Sequence, residues 1–432
     1  MKAYSLNKDG LMTPLKVEKK KNVRKMECNI LNIFPEIEKH KVYGFGGALT
    51  HASGEVLNSL DNDKAKEVLS LYYKESGFSY VRIPMDSSDF ASFTFEAAGS
   101  KEKIKNDEFS FKEEEEYIFP WLDEIERIKG KRVKILLSPW SPPAFMKSNE
   151  SRLKGGKLLP SFYSLWAEYM ARYAKEYKMR GYDVWALTIQ NEPNAIQTWD
   201  SCVYTSGEEA KLFKLLRESL DKEGLEDISI LFWDHNKERM ISRLSDFSEK
   251  EKVDGMAVHG YMGDHFDALD IYRKIYPDKR LILSEFCMSY KDRDNNKKQL
   301  KTYFHEISGD IAHGVDTIID WNLILDEEGG PNHVGNYCIA PIMKTGQGYM
   351  TNGCFTAISA LSREIEPSST VIATSVYDSS IDNLAVKRPD GSICIEFMAR
   401  DRKTNVRIGG KVFQVESRKD DLTVLVIEEG EL

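Results

Sequence analysis

Eight short, almost continuously apolar runs recur along the chain, separated by longer stretches of helical period. The runs are Tyr43–Leu49, Phe78–Pro84, Arg132–Ser138, Asp183–Gln190, Ile228–Trp233, Val253–His259, Leu281–Phe286 and Asp316–Asn322. A strand that is apolar throughout, rather than at alternate positions, is buried on both faces, as in a parallel sheet. Amphipathic stretches between the runs predict helices at Glu55–Glu75, Glu113–Ile128, Tyr163–Met179, Glu208–Glu223, Phe266–Ile275 and Lys297–Ala312. The stretch from Tyr163 puts Tyr163, Trp166, Ala167, Met170, Tyr173 and Ala174 on one face, the docking stripe of an outer helix. Strands alternating with helices in this number predict an α/β fold, a (β/α)8 TIM barrel, over residues 42–365.

The tail, residues 366–432, alternates without helical period at Ser375–Tyr377, Asn383–Lys387, Ser392–Met398, Lys411–Val415 and Leu422–Ile427. Asp390-Gly391 is a hairpin turn signal between two of these runs. The leader, residues 1–41, reads as strand near Val23–Asn32. Tail and leader together predict a small all-β side domain, a β-sandwich, with Pro367-Ser368-Ser369 as the hinge.

Composition excludes several classes of function. No stretch approaches the roughly 20 apolar residues of a membrane helix, so no membrane anchor is expected. Lys and Arg number 60 against 69 Asp and Glu, a net charge of −9, which disfavours nucleic-acid binding. The basic run from Lys16 to Lys25 reads as a solvated strand or loop. No apolar segment follows the basic residues near the N-terminus, which predicts a cytoplasmic chain. The six cysteines lack a CxxC pair and read as free thiols.

Barrels of this kind carry their active sites at the C-terminal ends of the strands. Polar, acidic and aromatic residues collect there in seven of the eight runs: Gly44-Phe45-Gly46-Gly47, Asp86 and Asp89, Ser138-Pro139-Trp140, Gln190-Asn191-Glu192-Pro193, His259-Gly260-Tyr261, Ser284-Glu285-Phe286 and Asp320-Trp321-Asn322. Glu192 and Glu285 close the fourth and seventh runs, which places them facing each other over the mouth. Two facing carboxyl groups are what glycoside hydrolysis requires: one protonates the leaving oxygen and the other attacks the anomeric carbon or activates water. Asn191 is suited to donate to a sugar hydroxyl, and Trp140 and Trp321 offer faces to a pyranose.

These segments, with Ser141-Pro142-Pro143, Leu323 and Gly329-Gly330-Pro331-Asn332-His333-Val334, resemble glycoside hydrolase family 30, the family of glucosylceramidases and endo-β-1,6-glucanases. The resemblance implies a retaining mechanism, no cofactor and no metal, a carbohydrate substrate, and a β side domain built from both chain ends. It implies that Glu192 is the acid/base and Glu285 the nucleophile, and that Tyr261 hydrogen-bonds the nucleophile. Asp89 and Trp140 match positions that hold distal sugar hydroxyls, and Trp321 and Asn336 match further subsite positions. Gly260 stands where glucosylceramidases carry tryptophan, removing one wall of the pocket.

Physical argument adds supporting roles. Glu285 needs donors such as Tyr261 and Arg82 to act as an anion, and a negative Glu285 is expected to raise the pKa of Glu192. His259 reads as a hydrogen-bonding rim histidine. With Asp264 and His265 it suggests a metal, but no third-ligand pattern follows. His51 reads as a turn or cap residue, the glycine cluster at Gly44–Gly47 lacks a phosphate-binding pattern, and Cys287 reads as a small buried thiol. The reading is a retaining β-glycosidase acting on β-linked glucosides. The alternatives are an endo-β-1,6-glucanase, a β-xylosidase or fucosidase of the same family, and, from another class, a carbohydrate-binding pseudoenzyme. Loss of a carboxylate would mark the last, and both carboxylates are present.

Overall fold

The apolar runs form the eight strands of a closed parallel barrel. In chain order they are β1 (Gly44–Ala48), β2 (Tyr80–Met85), β3 (Lys134–Pro139), β4 (Asp183–Thr188), β5 (Ser229–Asn236), β6 (Gly255–His259), β7 (Arg280–Glu285) and β8 (Thr317–Asp320). The structure, a computed structural model, describes residues 1–20, 30–376 and 378–431. Cys28 and residues 21–25 of the basic run therefore lie outside the described residues, as do positions 23–29 of the strand predicted near Val23–Asn32.

Side chains alternate inward and outward along a strand, and this sets up two layers inside the barrel. An apolar layer takes one residue from each of β2 to β8: Tyr80, Leu136, Ala186, Leu231, Ala257, Ile282 and Ile319. Two residues further along five of these strands the chain places Arg82, Ser138, His259, Ser284 and Trp321. The site is thus the next layer of the same inward stripe.

Gly46 and Gly47 on strand β1 carry no side chain because their neighbours come close. A Cβ on Gly46 would lie 2.3 Å from the Tyr80 carbonyl oxygen on β2. One on Gly47 would meet Leu323 at 2.5 Å. The glycine cluster therefore serves close strand packing.

The helix expected at Tyr163–Met179 has those bounds and buries its aromatic face. The stretch expected as one helix over Glu55–Glu75 is broken into His51–Ser59, Asn62–Ser70 and a π turn at Leu71–Glu75. The break has a local cause: Leu60 is extended, and the Asp61 side chain accepts from the Asp63 N–H and caps a new helix. His51 is the first residue of its helix, and the cap is Thr50. Burial pushes His51 down to about 4.

Leader and tail interleave in one ten-stranded sheet. Its order is Met12–Pro14, Lys2–Leu6, Leu422–Ile427, Ile393–Met398, Asn383–Lys387, Ser369–Val376, Ile30–Val42, Thr404–Ile408, Lys411–Val415 and Val17–Lys20. Thr404–Ile408 runs parallel to Ile30–Val42, and the other pairings are antiparallel. The sheet curls over its own apolar face: Phe413 and Leu425, from strands far apart in the order, share one core with Ile33, Ile395 and Phe397. The Asp390-Gly391 turn joins two of the strands, with Asp390 accepting from the Ser392 N–H.

The chain divides into two compact units. One comprises Met1–Phe45, Lys291–Thr317 and Met350–Leu432 and holds this sheet with helices Asn296–Ala312 and Gly353–Glu364. The other comprises Gly46–Tyr290 and Ile318–Tyr349 and holds the residues discussed below.

Gly46→Ala should destabilise the fold by about 1–3 kcal/mol, because rigid backbone must move to admit the methyl group. Gly207, near the start of helix Ser206–Lys222, has nothing within 4 Å of its Cβ position, and Gly207→Ala should be neutral or stabilising. Denaturant midpoints of the two variants provide the check.

Candidate active site

Arg82 is the centre of the polar layer. Its guanidinium is fully buried, a costly position unless each donor is used. Nε donates to Ser138 Oγ at 3.1 Å, Nη1 to Glu285 Oε2 at 2.5 Å, and Nη2 to Asn191 Oδ1 and Asp234 Oδ2 at 2.8 and 2.9 Å. Trp140 and Trp321 stack on each other at 5.3 Å, and both rings lie against the guanidinium, at 4.8 and 5.5 Å. One side chain from β2 thereby ties together residues from β3, β4, β5, β7 and β8.

Glu285, the last residue of β7, accepts on both oxygens. Tyr261 Oη donates to Oε1 at 2.9 Å, opposite the Arg82 contact on Oε2. Glu192 follows β4 in the left-handed region, with φ of 47°. Its Oε1 lies 3.3 Å from His259 Nδ1 and 3.5 Å from His235 Nδ1. The other nitrogen of His259 meets Asp234 Oδ1 at 3.1 Å and lies 3.9 Å from Glu285 Oε2. A single buried imidazole therefore reaches both glutamates.

These contacts set the protonation. Burial alone would depress His259, but Glu285, Asp234 and Glu192 surround it and push it up to about 10. Burial alone would raise Glu192, but hydrogen bonds from His235 and His259, and the charge on both, hold it well below the usual carboxylate range. This corrects the expectation that Glu285 raises Glu192, because the His259 imidazolium stands 3.3 Å from Glu192 and carries the opposite sign. Asp234, buried beside Arg82 and His259, is likewise held low.

Asp89, Trp140, Asn191, Glu192, Tyr261, Glu285, Trp321 and Asn336 all line one cavity of about 430 Å³. Asn336 Nδ2 donates to Asp89 Oδ2 at 2.7 Å. Burial, then the charge of Glu285, raises Asp89 to about 7. Arg82 and His259 lie beneath this lining with no exposed surface. Cys287 is half-buried on the cavity wall, with its sulfur 3.5 Å from Tyr261 Oη, rather than buried as expected. Asp86 stays out of the cavity and accepts from Tyr169 Oη at 2.7 Å.

The residues that sequence reading missed come from β5. The apolar run ends at Trp233, but the strand continues to Asn236 through a bulge. Trp233 and Asp234 take φ of 76° and 46° there, which re-aims Asp234 and His235 into the site. The available signal was the polar triplet Asp234-His235-Asn236 directly after an apolar run, at the one strand end where no candidate was assigned.

A parallel barrel with paired carboxylates under an aromatic-walled cavity defines a glycosidase site. Residues 42–365 match the family model for the glycosyl hydrolase family 30 TIM-barrel domain, and the chain belongs to that family. It is 28% identical to the lysosomal acid glucosylceramidase of Mus musculus, over 86% of this chain and 77% of that protein. It is 23% identical to an endo-1,6-beta-D-glucanase of Neurospora crassa, over 70% of this chain and 64% of that protein. Among solved structures, SrfJ from Salmonella typhimurium aligns with a TM-score of 0.93 at 30% identity, over 99% of both chains.

The His259 cluster predicts a pH dependence of stability. Its folded value of about 10 exceeds the roughly 6.5 of an unfolded chain, so its contribution is complete below pH ~6.5 and is lost as pH rises towards 10. Across that window the wild type should lose a few kcal/mol more than His259→Gln, read as the slope of Tm against pH. Equal slopes would contradict the assignment.

Proposed function

We propose that the chain is a retaining β-glycosidase acting on β-linked glucosides, with Glu285 as nucleophile and Glu192 as acid/base. The observation that carries this reading is the pair of carboxylates lining one cavity, with the buried His259 within 4 Å of both. A Glu285 oxygen attacks the anomeric carbon as the bond to the leaving oxygen breaks, and Glu192 supplies the proton that oxygen takes up. Glu192 then removes a proton from water, whose oxygen displaces Glu285 from the anomeric carbon.

The surroundings support these roles. Tyr261 and Arg82 hold both oxygens of Glu285 as acceptors in one orientation, which pre-organises it for attack. Glu192 and His259 hold one proton between them. An imidazolium beside a carboxylate is one short transfer from an imidazole beside a carboxylic acid, so the proton for the leaving oxygen is already in the site. Asp89 and Asn336 face the cavity as a hydroxyl-binding pair, and Trp140 and Trp321 give it an aromatic wall.

The names of the relatives share a glucosyl unit, which favours glucose in the deep subsite. Endo action on a β-1,6-glucan is the second reading. The aromatic rim favours it, because Tyr261 and Tyr337 are 37% and 46% exposed and offer a sugar-sized surface beyond the carboxylates.

Glu285→Gln should abolish turnover, and azide should restore a glycosyl azide product to Glu285→Ala. Glu192→Ala should lose roughly 10²–10⁴-fold on glycosides with poor leaving groups, yet still form the intermediate from activated aryl glycosides. Near wild-type rates in Glu285→Gln would overturn the mechanism. A panel of p-nitrophenyl β-glycosides of glucose, xylose, fucose and galactose, with gentiobiose and pustulan, separates the substrates. Release from the glucoside without action on pustulan supports the first reading, and cleavage of pustulan to oligomers supports the second.

A further inference from the structure

Glu192, His235 and His259 each offer one ligand atom within 4.8 Å of the other two, although they come from three different strand ends. In a tetrahedral site with metal–nitrogen bonds of 2.0–2.1 Å, neighbouring ligand atoms lie about 3.3 Å apart. The Oε1 of Glu192 lies 3.3 Å from His259 Nδ1 and 3.5 Å from His235 Nδ1, two separations close to that spacing, and Asn236 Nδ2 lies 3.5 Å from the same His235 nitrogen and would give way to the ion. We propose that these three side chains bind a divalent transition-metal cation of the zinc class, and that the bound ion reversibly blocks turnover.

The groups behind the three ligands support this. Asp234 Oδ1, 3.1 Å from His259 Nε2, accepts that N–H and leaves Nδ1 as the ligand atom. A carboxylate behind a ligating imidazole is the usual support of a metal-bound histidine. Asp234 is itself fixed by Arg82 at 2.9 Å and by Ser284 Oγ at 2.6 Å. The His235 ring packs against Trp233 at 5.0 Å.

Asp234 and Glu285 add negative charge beside the ligand atoms, a setting that suits a cation. The side chains of Glu192 and His235 keep 13% and 12% of their surface accessible. With Glu192 on the cavity lining, a fourth coordination position opens towards solvent. Two nitrogens and one oxygen with an open position are a zinc-type donor set rather than a calcium or magnesium one. Binding does not depend on the assigned catalytic roles. Inhibition does, because it rests on Glu192 being the acid/base.

The rival ligands are the thiols of Cys287 and Cys338, which line the same cavity. The full chain, stripped with EDTA and freed of chelator, is titrated with zinc chloride by calorimetry. One ion per chain should bind with micromolar affinity. His235→Asn should weaken binding about tenfold or more, while Cys287→Ser with Cys338→Ser should leave it unchanged. Cobalt(II) bound to the wild type should show a visible spectrum without a thiolate charge-transfer band, a readout that stands even if His235→Asn does not fold. Zinc should inhibit glycoside hydrolysis, and EDTA should restore it. No binding, equal binding by a folded His235→Asn, a thiolate band, or full activity of the zinc-loaded enzyme each overturns the proposal. Binding that depends on His235 in a chain inactive on every glycoside would uphold the metal site and overturn the glycosidase mechanism instead.

Discussion

The buried guanidinium of Arg82 is the constraint on which the site depends. A charge with no access to water is tolerated only where hydrogen bonds and counter-charges replace its hydration. Arg82 obtains them from Ser138, Asn191, Asp234 and Glu285, with the Trp140 and Trp321 rings beside it. The four hydrogen-bond partners sit on or just after four different strands. The requirement to satisfy one cation therefore fixes the rim of most of the barrel, and Glu285 is oriented by the same contacts that make Arg82 tolerable.

His259 is the second organising group, and it acts through charge. Its two nitrogens serve Glu192 and Asp234, and Asp234 is shared with Arg82. The result is a chain of alternating charges, from Glu192 through His259 and Asp234 to Arg82 and Glu285. In a medium of low dielectric such a chain couples the protonation of its members. Glu192 sits low because an imidazolium faces it, and that imidazolium survives burial because three carboxylates surround it.

Backbone strain accompanies this arrangement. Glu192, Trp233, Asp234 and Asn322 all take positive φ, a region that costs side-chain-bearing residues free energy and persists where surrounding contacts over-determine it. All four lie near or just beyond the C-terminal ends of barrel strands. At β5 the strain is coupled to a register shift against β6, which turns two consecutive side chains towards the site where a regular strand would turn one away.

The sequence by itself determined the repeating order of apolar runs and amphipathic stretches, and with it the barrel, because burial on both faces and helical period are properties of local stretches. It also placed Glu192, Glu285, Trp140 and Trp321 at strand ends, since position along a strand follows from where its apolar run stops. That leader and tail share one β domain was legible from the alternating runs of the tail and the strand-like leader, whereas the curl of the sheet onto one core was not. Tertiary structure alone decided which atoms meet. That His259 reaches both glutamates, that Asp234 and His235 enter the site through a bulge, and that Glu192 sits low rather than high depend on distances of 3–4 Å between residues far apart in sequence. Electrostatic interaction varies with that separation and with burial, and neither is written in the order of the residues.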